Sequence, residues 1–494
     1  MQGLSDRYRS GLVALISFLA SFGVYLPGAL KRSAWSDDIS LLENDEFSLS
    51  FAVGRPVYGY AYRAFFPDTV DGLVLLRLIG VAGIATLAAI MAVCLSGWGV
   101  SKHRSILWAI ATVMLPAFHS FAGWAAAFLM PWAGVLGLLS GIMWCRNSVT
   151  KSIHWHLAAV VMMIVSFLTY PPTALCCWVY LGLRTIVLRP RPYLLAKQIF
   201  SMANLTLVSG AAFLIIAEAF RKAQTIPISS RFEIVNSVPI AIDKVIWFVT
   251  HPVVVVARPF NIDSPTNTVA LLTGGPVLLI VGIGLFMHIK GGVWERSIFV
   301  CLNCVIFSFT MLTHLVGMEN QIEFRFLAGA SILMFAYLCI SLVKSSLFIL
   351  SLTCMTISRT ISSMKIISSC LLVVLLPIVS LLAVRNIDQV FISPYGTKEL
   401  FIQDELADFD PTTYSTIVVI NDPSHYPVRK HLGVYSTVTD LGHGWVPAPM
   451  IRLVLREHYG IDQMIEVKVR SDRPSIIYAS EYLVDLRPYT DSIN

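Results

Sequence analysis

Long apolar runs separated by short polar loops dominate this chain. A helix needs roughly 20 apolar residues to cross a bilayer, so the runs predict an all-α membrane bundle of about eleven transmembrane helices. Two of the runs are short and indicate tight hairpins with their neighbours. The predicted helices are Gly11–Leu30, Gly72–Gly97, Ser105–Phe118, Phe121–Cys145, His156–Leu168, Pro172–Leu188, Ile199–Phe220, Thr268–His288, Ile298–Val316, Phe326–Leu342 and Ile366–Val384.

Composition agrees with this pattern. Of the 494 residues, 56% are hydrophobic and only 13% are charged, whereas about a quarter of the residues of a soluble protein carry charge. The chain is therefore predicted to be a polytopic membrane protein. Its formal net charge of +6 needs no nucleic-acid partner, because membrane proteins keep an excess of Lys and Arg on the cytoplasmic side.

The loops also differ in charge from one side of the bundle to the other. Basic residues fall in every second loop, beginning with Arg7 and Arg9, while of the 30 acidic residues only Asp6 and Glu295 fall on that same side. The N-terminus is therefore predicted to be cytoplasmic and the C-terminus to lie on the outer side. The first helix is long for a signal peptide and lacks a small-residue cleavage site, so we expect it to be retained.

Three outer segments are long enough to carry a site: residues 31–71, 221–265 and 385–494. The second mixes charged residues with apolar pieces, which is typical of an interfacial or re-entrant segment. The third is about 110 residues long, a normal size for a small domain. We predict a transmembrane domain over residues 1–384 and an outer domain over residues 385–494.

The outer C-terminal domain alternates apolar runs with turns, which predicts an α/β or α+β fold. Its predicted strands are Ser415–Ile420, Ile465–Val469 and Ser475–Ala479. Met450–His458 is predicted to form a short amphipathic helix.

The first outer segment contains the residues best suited to chemistry. Trp35-Ser36-Asp37-Asp38 follows the first helix, and Gly54-Arg55-Pro56 comes shortly afterwards. A carboxylate can accept the proton of an attacking hydroxyl, and an arginine fork can hold a phosphate. The flanking glycine and proline control the backbone at Arg55. We predict Asp37 and Asp38 as catalytic residues and Arg55 as a phosphate ligand; solvated loop acids and a structural Arg55–Asp37 pair are the alternatives.

Further candidates lie at other predicted helix ends on the outer side. Arg325 is either a second phosphate ligand or an interfacial anchor paired with Glu323 or Glu319. Arg77 either reaches the substrate or extends to the interface. Trp35 and Tyr170 are candidates for the wall of a substrate groove, although Tyr170-Pro171-Pro172 also suits a simple turn. Residues typical of an interfacial belt are His119, Trp124 and His314.

The sequence contains few indications of a cofactor. Asp37 and Asp38 together could hold a divalent cation, a point that the sequence leaves open. The chain has no Walker motif and no Rossmann fingerprint, so no bound nucleotide is predicted. Cys301 and Cys304 have the spacing of a metal motif, but they lie in an apolar helix without a second pair, so packing is favoured over zinc.

Taken together, Trp35-Ser36-Asp37-Asp38, Gly54-Arg55-Pro56, Tyr170-Pro171-Pro172, the many spans and the outer C-terminal domain resemble the phage-type O-antigen glucosyltransferases of serotype conversion, the Gtr family. That family is similar to the wider GT-C class of polytopic glycosyltransferases that use lipid-phosphate sugars. By this resemblance Asp37 and Asp38 match the acidic motif of the first outer loop and Arg55 the arginine after it, while Arg325 matches by position.

The resemblance implies a polyprenyl-phosphate glucose donor and a lipid-linked O-antigen acceptor on the periplasmic face of the bacterial inner membrane. It also implies a functional link to the polyprenyl-phosphate glucosyltransferase that makes the donor and to the flippase that moves it across the membrane. Asp37 would accept the proton of the acceptor hydroxyl, and Arg55, with Arg325, would hold the departing phosphate. A flippase or transporter of lipid-linked glycans and an O-antigen polymerase are the alternative functions.

Overall fold

The computed structural model describes residues 2–43, 48–150, 152–227, 229, 233–258, 267–320, 322–353, 360–421, 446–461, 465–472 and 478–487. Helices make up most of this part of the chain. They are α1 (Gln2–Ala29), α2 (Asp37–Glu43), α3 (Ser48–Ala52), α4 (Pro56–Phe65), α5 (Leu73–Gly97), α6 (Lys102–Val113), α7 (Pro116–Gly123), α8 (Met130–Thr150), α9 (Ile153–Thr169), α10 (Pro171–Ala174), α11 (Cys176–Leu188), α12 (Pro192–Ala223), α13 (Val238–Thr250), α14 (Pro252–Val256), α15 (Asn267–Phe286), α16 (Val293–Phe309), α17 (Leu312–Val316), α18 (Ala328–Thr353), α19 (Thr360–Ile387), α20 (Ser393–Glu405) and α21 (Pro447–Tyr459).

Within the described residues, seven helical segments are long and apolar enough to cross a membrane, and the bent pair α6–α7 adds an eighth if it is one span. The seven are Arg9–Ala29, Leu73–Gly97, Ala125–Arg146, Pro171–Leu188, Pro192–Ala223, Val238–Val256 and Leu372–Glu405. Three shorter apolar helices accompany them: Ile153–Thr169, Leu272–Phe286 and Ala328–Lys344. This is the architecture of a multi-pass helical membrane protein. The count of eleven spans stays a prediction.

The predicted continuous helix Ser105–Phe118 is interrupted in the structure, between α6 and α7. Helices α6 and α7 meet at an angle of 68°. Leu115 between them is extended, with φ −70° and ψ 153°, and Pro116 begins α7. Proline disfavours the helical conformation in the residue before it and cannot donate a backbone hydrogen bond. The break directs α7 and the 3₁₀ turn Ala125–Ala127 into the interior, where they support the first outer segment.

The C-terminal region forms a three-stranded parallel sheet of β1 (Thr416–Ile420), β2 (Glu466–Arg470) and β3 (Glu481–Asp485), in the order β2-β1-β3. The central strand β1 is buried along its whole length, as expected for a continuous apolar strand in a parallel sheet. Helix α21 lies between β1 and β2 in the chain, as a parallel connection requires. Of the predicted strand Ser475–Ala479, residues 475–477 lie outside the described residues and Tyr478 and Ala479 are not in a strand; the third strand is β3.

The predicted domain boundary at residue 384 falls inside α19, and the helical chain continues through a π-helix, Asp388–Ile392, into α20. The C-terminal region also packs directly on the first outer segment. Arg32 Nη1 donates to Glu399 at 2.6 Å, and Arg32 also pairs with Glu457. Arg456 pairs with Glu43, with 2.8 Å between Nη1 and Oε1. Ion pairs therefore fasten α20 and α21 to the segment that contains Asp37.

Candidate active site

Arg77 of α5 holds the turn that follows α1. Its side chain is fully buried and donates to the carbonyl oxygens of Ala29 at 3.2 Å, Lys31 at 2.5 Å and Ser33 at 2.6 Å. Three backbone acceptors satisfy much of a guanidinium that is expensive to bury unpaired. Arg77 lies outside the cavity described below, so it anchors the turn; it neither faces the cavity nor extends to the interface.

Asp38 is the second anchor of this turn. Its carboxyl group accepts the backbone N–H of Trp35 at 3.0 Å and of Ala125 at 3.3 Å on Oδ2, and of Ala126 at 2.6 Å on Oδ1. The side chain is fully buried, and burial raises the pKa of Asp38 to about 7 although the three N–H donors lower it. The contact to Trp35 is the reach-back of a helix N-terminus, and the other two fasten α2 to the 3₁₀ turn.

Asp37 precedes it and faces a cavity of about 810 Å³. It is half-buried, whereas Asp38 does not line the cavity. Successive residues of a helix point about 100° apart. Because the Asp38 carboxyl group packs on the 3₁₀ turn, the Asp37 side chain points in another direction. The structure thus separates the two predicted catalytic acids, and only Asp37 lies in the cavity wall.

Arg55 lines the same cavity. Gly54 has a φ of +73°, the left-handed region that glycine enters without strain, and the Arg55 N–H donates to the Ser50 carbonyl at 2.8 Å. Pro56 begins α4 directly afterwards. The Arg55 guanidinium lies over the ring of Tyr170, 4.6 Å from its centroid. The predicted backbone control of this arginine is confirmed, and the tyrosine ring supports its side chain.

Arg325 is the third predicted site residue in the cavity wall. It lies in the 3₁₀ helix Phe324–Phe326, with Nε 2.5 Å from Glu323 Oε2 and the guanidinium 4.4 Å from the centroid of the Trp124 ring. Burial alone would lower the pKa of Arg325, but Glu323 and Asp37 raise it above its ordinary value. The pair with Glu323 is the alternative that the sequence left open. A guanidinium has five N–H donors, so this ion pair and a phosphate contact are compatible on one arginine.

The cavity borders an exposed apolar surface of the helical bundle. Its lining includes Leu207 of α12, which is 64% exposed, and Leu49, which is 57% exposed. Helix α12 is one of the segments able to cross a membrane. The cavity therefore combines charged side chains with exposed apolar ones on a helix able to cross a membrane.

Trp35 and Tyr170, the predicted groove residues, are not in the cavity lining. Trp35 is 4% exposed and packs edge-on against Phe391, with 5.2 Å between ring centroids. Tyr170 is fully buried behind Arg55. The sequence missed two residues that do line the cavity, Trp124 and His314. Both had been interpreted as interfacial, and no local signal in the sequence distinguishes a cavity from an interface.

Among the described residues, no group of three or more His, Cys, Asp and Glu side chains is placed to hold a metal ion. Both oxygens of Asp38 accept backbone N–H groups. No family model matches the chain, and no curated protein matches it.

Proposed function

We propose that the protein is an integral membrane glycosyltransferase. It would move a hexosyl residue, glucose by the resemblance, from a polyprenyl-phosphate donor to lipid-linked O-antigen on the periplasmic face of the bacterial inner membrane. One observation carries the proposal: Asp37, Arg55 and Arg325 line a single cavity that borders exposed apolar residues of α12, a helix able to cross a membrane. A base and two phosphate ligands beside the bilayer suit a sugar donor that remains anchored by its lipid.

The reaction would be a direct displacement at the anomeric carbon. The Asp37 carboxylate accepts the proton of an acceptor hydroxyl as that oxygen attacks the anomeric carbon of the donor. The bond between this carbon and the phosphate oxygen breaks, and its electron pair leaves with the polyprenyl phosphate. Arg55 and Arg325 hold the charge that develops on the phosphate. No nucleotide takes part, because the donor sugar already carries its activating phosphate.

The surrounding contacts suit this division of roles. Tyr170 and Trp124 lie against the faces of the two guanidinium groups, 4.6 and 4.4 Å from the ring centroids. Cation–π contact of this kind limits where a guanidinium can move, and pre-placed charge reduces reorganisation during reaction. Asp38 is assigned a positioning role, since its carboxyl group holds the turn from which Asp37 projects.

The proposed orientation, with the N-terminus cytoplasmic and the C-terminus periplasmic, has support of its own. Arg32 follows α1 and pairs with Glu399 and Glu457. This contact supports an N-terminus and a C-terminus on opposite sides of the membrane, and the fusion test decides which side is periplasmic. An alkaline phosphatase fusion after Asn494 should then be active and one after Arg296 inactive. The reverse result would move Asp37 to the cytoplasm and overturn the proposed site.

The alternative functions predict different products. A flippase would change where the lipid-linked glycan accumulates without changing its mass, and a polymerase would change its chain length. The direct test compares the lipid-linked O-antigen of cells with and without this gene by mass spectrometry. A gain of one hexose per repeat supports the transferase, and a change in chain length or location alone contradicts it.

The same cells test Asp37. Asp37→Asn should lower transfer by about 10²–10⁴-fold, the usual loss when a general base is removed, at unchanged protein level. Asp68→Asn is the matched control, since Asp68 is an exposed acid of the same outer segment outside the cavity lining. Normal transfer by Asp37→Asn would remove Asp37 from the mechanism.

A further inference from the structure

A second polar region of the cavity lies apart from the arginines. Thr313 and His314 of α17 line it, and Glu233 and Glu319 lie at its exposed rim. Two outer segments meet here in a short antiparallel bridge, Ile234 with Gly317, in which the Met318 N–H donates to the Glu233 carbonyl at 2.9 Å. The bridge fixes the backbone of both acidic residues beside α17.

His314 is 6% exposed, and its Nδ1 has no hydrogen-bond partner among the described residues; the same holds for Thr313 Oγ1. Buried polar atoms are nearly always hydrogen-bonded in folded proteins, and leaving one unpaired costs free energy. Two such atoms from adjacent residues in one cavity wall indicate that a ligand supplies the missing partners.

The imidazole is held in a defined orientation. It stacks near Trp247, with 6.3 Å between centroids and 21° between planes, and Phe326 meets it edge-on at 6.0 Å. Phe326 also stacks near Tyr170 at 6.2 Å, the ring that supports Arg55. A row of aromatic rings therefore connects His314 to the ring that supports Arg55. The histidine end and the arginine end of the cavity adjoin.

The charges favour an uncharged ligand at this end. Glu233 and Glu319 disfavour a second anion, and the nearest lysine, Lys244, already donates to the Glu319 carbonyl and to Asn320 Oδ1, each at 2.7 Å. A sugar hydroxyl both donates and accepts, so it can pair with an imidazole nitrogen, a threonine hydroxyl and a carboxylate alike.

We propose that the His314 end of the cavity binds the hydroxyl groups of an uncharged sugar unit of the acceptor glycan. His314 Nδ1 and Thr313 Oγ1 contact hydroxyls inside the cavity, and Glu233 and Glu319 accept hydrogen bonds at the rim. The identity of the ligand as the acceptor rests on the proposed function. The resulting arrangement places the donor phosphate and the acceptor sugar in one cavity, with Asp37 in its wall.

The test measures binding by calorimetry to the purified full-length protein in detergent. The first probe is the oligosaccharide that mild acid releases from the lipid-linked glycan of the host cell, and the second is a short-chain prenyl phosphate. His314→Phe keeps a ring of similar size in the aromatic row but removes the nitrogen. His314→Asn keeps a polar atom near the position of Nδ1. His251→Phe is the control, because His251 stacks near Trp247 at 6.1 Å but lies outside the cavity lining.

We expect His314→Phe to weaken oligosaccharide binding by about tenfold, the effect of one lost hydrogen bond, and to leave prenyl phosphate binding unchanged. The affinity of His314→Asn for the oligosaccharide should stay within about threefold of the wild-type value. The affinity of the control His251→Phe should equal the wild-type value. Two results would show that His314 has only a packing role and would overturn the subsite. One is equal oligosaccharide affinity of the wild type and His314→Phe, and the other is weaker binding by His314→Asn than by His314→Phe.

The two probes separate the proposals. If the wild type binds prenyl phosphate and His314→Phe binds the oligosaccharide normally, the subsite is wrong and the proposed function stands. If the wild type binds neither probe, both are wrong.

Discussion

Replacing Asp38 by asparagine tests the anchor on which the position of Asp37 depends. The carboxyl group of Asp38 accepts three backbone N–H groups, two on Oδ2 and one on Oδ1. Asparagine has the same size but only one acceptor oxygen. If that oxygen takes the place of Oδ2, the amide nitrogen faces the Ala126 N–H, which lies 2.6 Å from Oδ1 in the wild type.

The cost follows from this geometry. A buried donor left unpaired costs roughly 1–3 kcal/mol. Ala126 is fully buried, so water cannot replace the lost acceptor. Asp38→Asn should therefore destabilise the protein by about 1–3 kcal/mol, a sizeable part of the 5–15 kcal/mol that typically separates folded from unfolded protein.

The assay is thermal unfolding of the purified protein in detergent at about pH 5, below the raised pKa of Asp38, where much of its contribution to stability is still present, together with the yield from membranes. Asp37→Asn is the matched control, since it makes the same chemical change one residue away in the cavity wall. Asp38→Asn should lower both the midpoint temperature and the yield, and Asp37→Asn should lower neither. Equal stability of the two variants would refute the anchoring role.

Three more experiments test the proposed phosphate ligand Arg55, the ion pair between Arg456 and Glu43, and the titration of Asp38. Arg55→Lys keeps the charge but loses the planar fork, so it should lose most transfer activity, while Arg63→Lys, an exposed arginine over another ring of the first outer segment, should lose none; full activity of Arg55→Lys would reduce Arg55 to an anchor. Arg456→Glu should lower the thermal midpoint through repulsion from Glu43 and the added substitution Glu43→Arg should restore it, with about 1–3 kcal/mol at stake; no recovery in the double variant would contradict the ion pair. Burial raises the pKa of Asp38 to about 7 from an ordinary 3.8, so its contribution to stability is complete below about pH 4 and is lost as the pH rises to 7; thermal midpoints should fall between about pH 4 and 7, with a smaller slope in Asp38→Asn, and a rise over this range would contradict the sign.

Local backbone chemistry in the sequence was enough to predict the setting of Arg55. Glycine before and proline after an arginine restrict its backbone wherever they occur, and the structure has Gly54 at a φ of +73° with Pro56 beginning a helix. Arg325 was predicted from its place at a helix end on the outer side, and it lines the same cavity as Arg55.

The division of roles between Asp37 and Asp38 could not be predicted. The two acids are adjacent and chemically alike, and only the packing of α2 on the turn at Ala125 and Ala126 decides which one is buried. The position of that turn follows from the 68° bend between α6 and α7 and the course of α7. The unpaired nitrogen of His314 likewise depends on neighbours from distant segments, so the sequence indicated only a histidine at a helix end.

Strand β3 was not predicted from the sequence, for a different reason. Its apolar centre, Tyr482–Val484, is only three residues long and is flanked by Glu481 and Asp485, so the periodicity of the sequence favoured the segment 475–479 instead. The strand forms because it pairs in parallel with the buried strand β1, from Thr416 with Glu481 to Ile420 with Asp485. Pairing with a distant strand outweighs the local pattern here.

The most direct test of the central claim is sugar transfer by the purified protein. The protein is reconstituted in liposomes with radiolabelled polyprenyl-phosphate glucose and lipid-linked O-antigen, without nucleotide sugar, and the label in the glycan is counted. If the protein is the proposed transferase, the wild type gives labelled glycan and released polyprenyl phosphate in equal amounts, and Asp37→Asn lowers the transfer by about 10²–10⁴-fold. Unlabelled glycan with the wild type, or undiminished transfer with Asp37→Asn, would contradict the proposal.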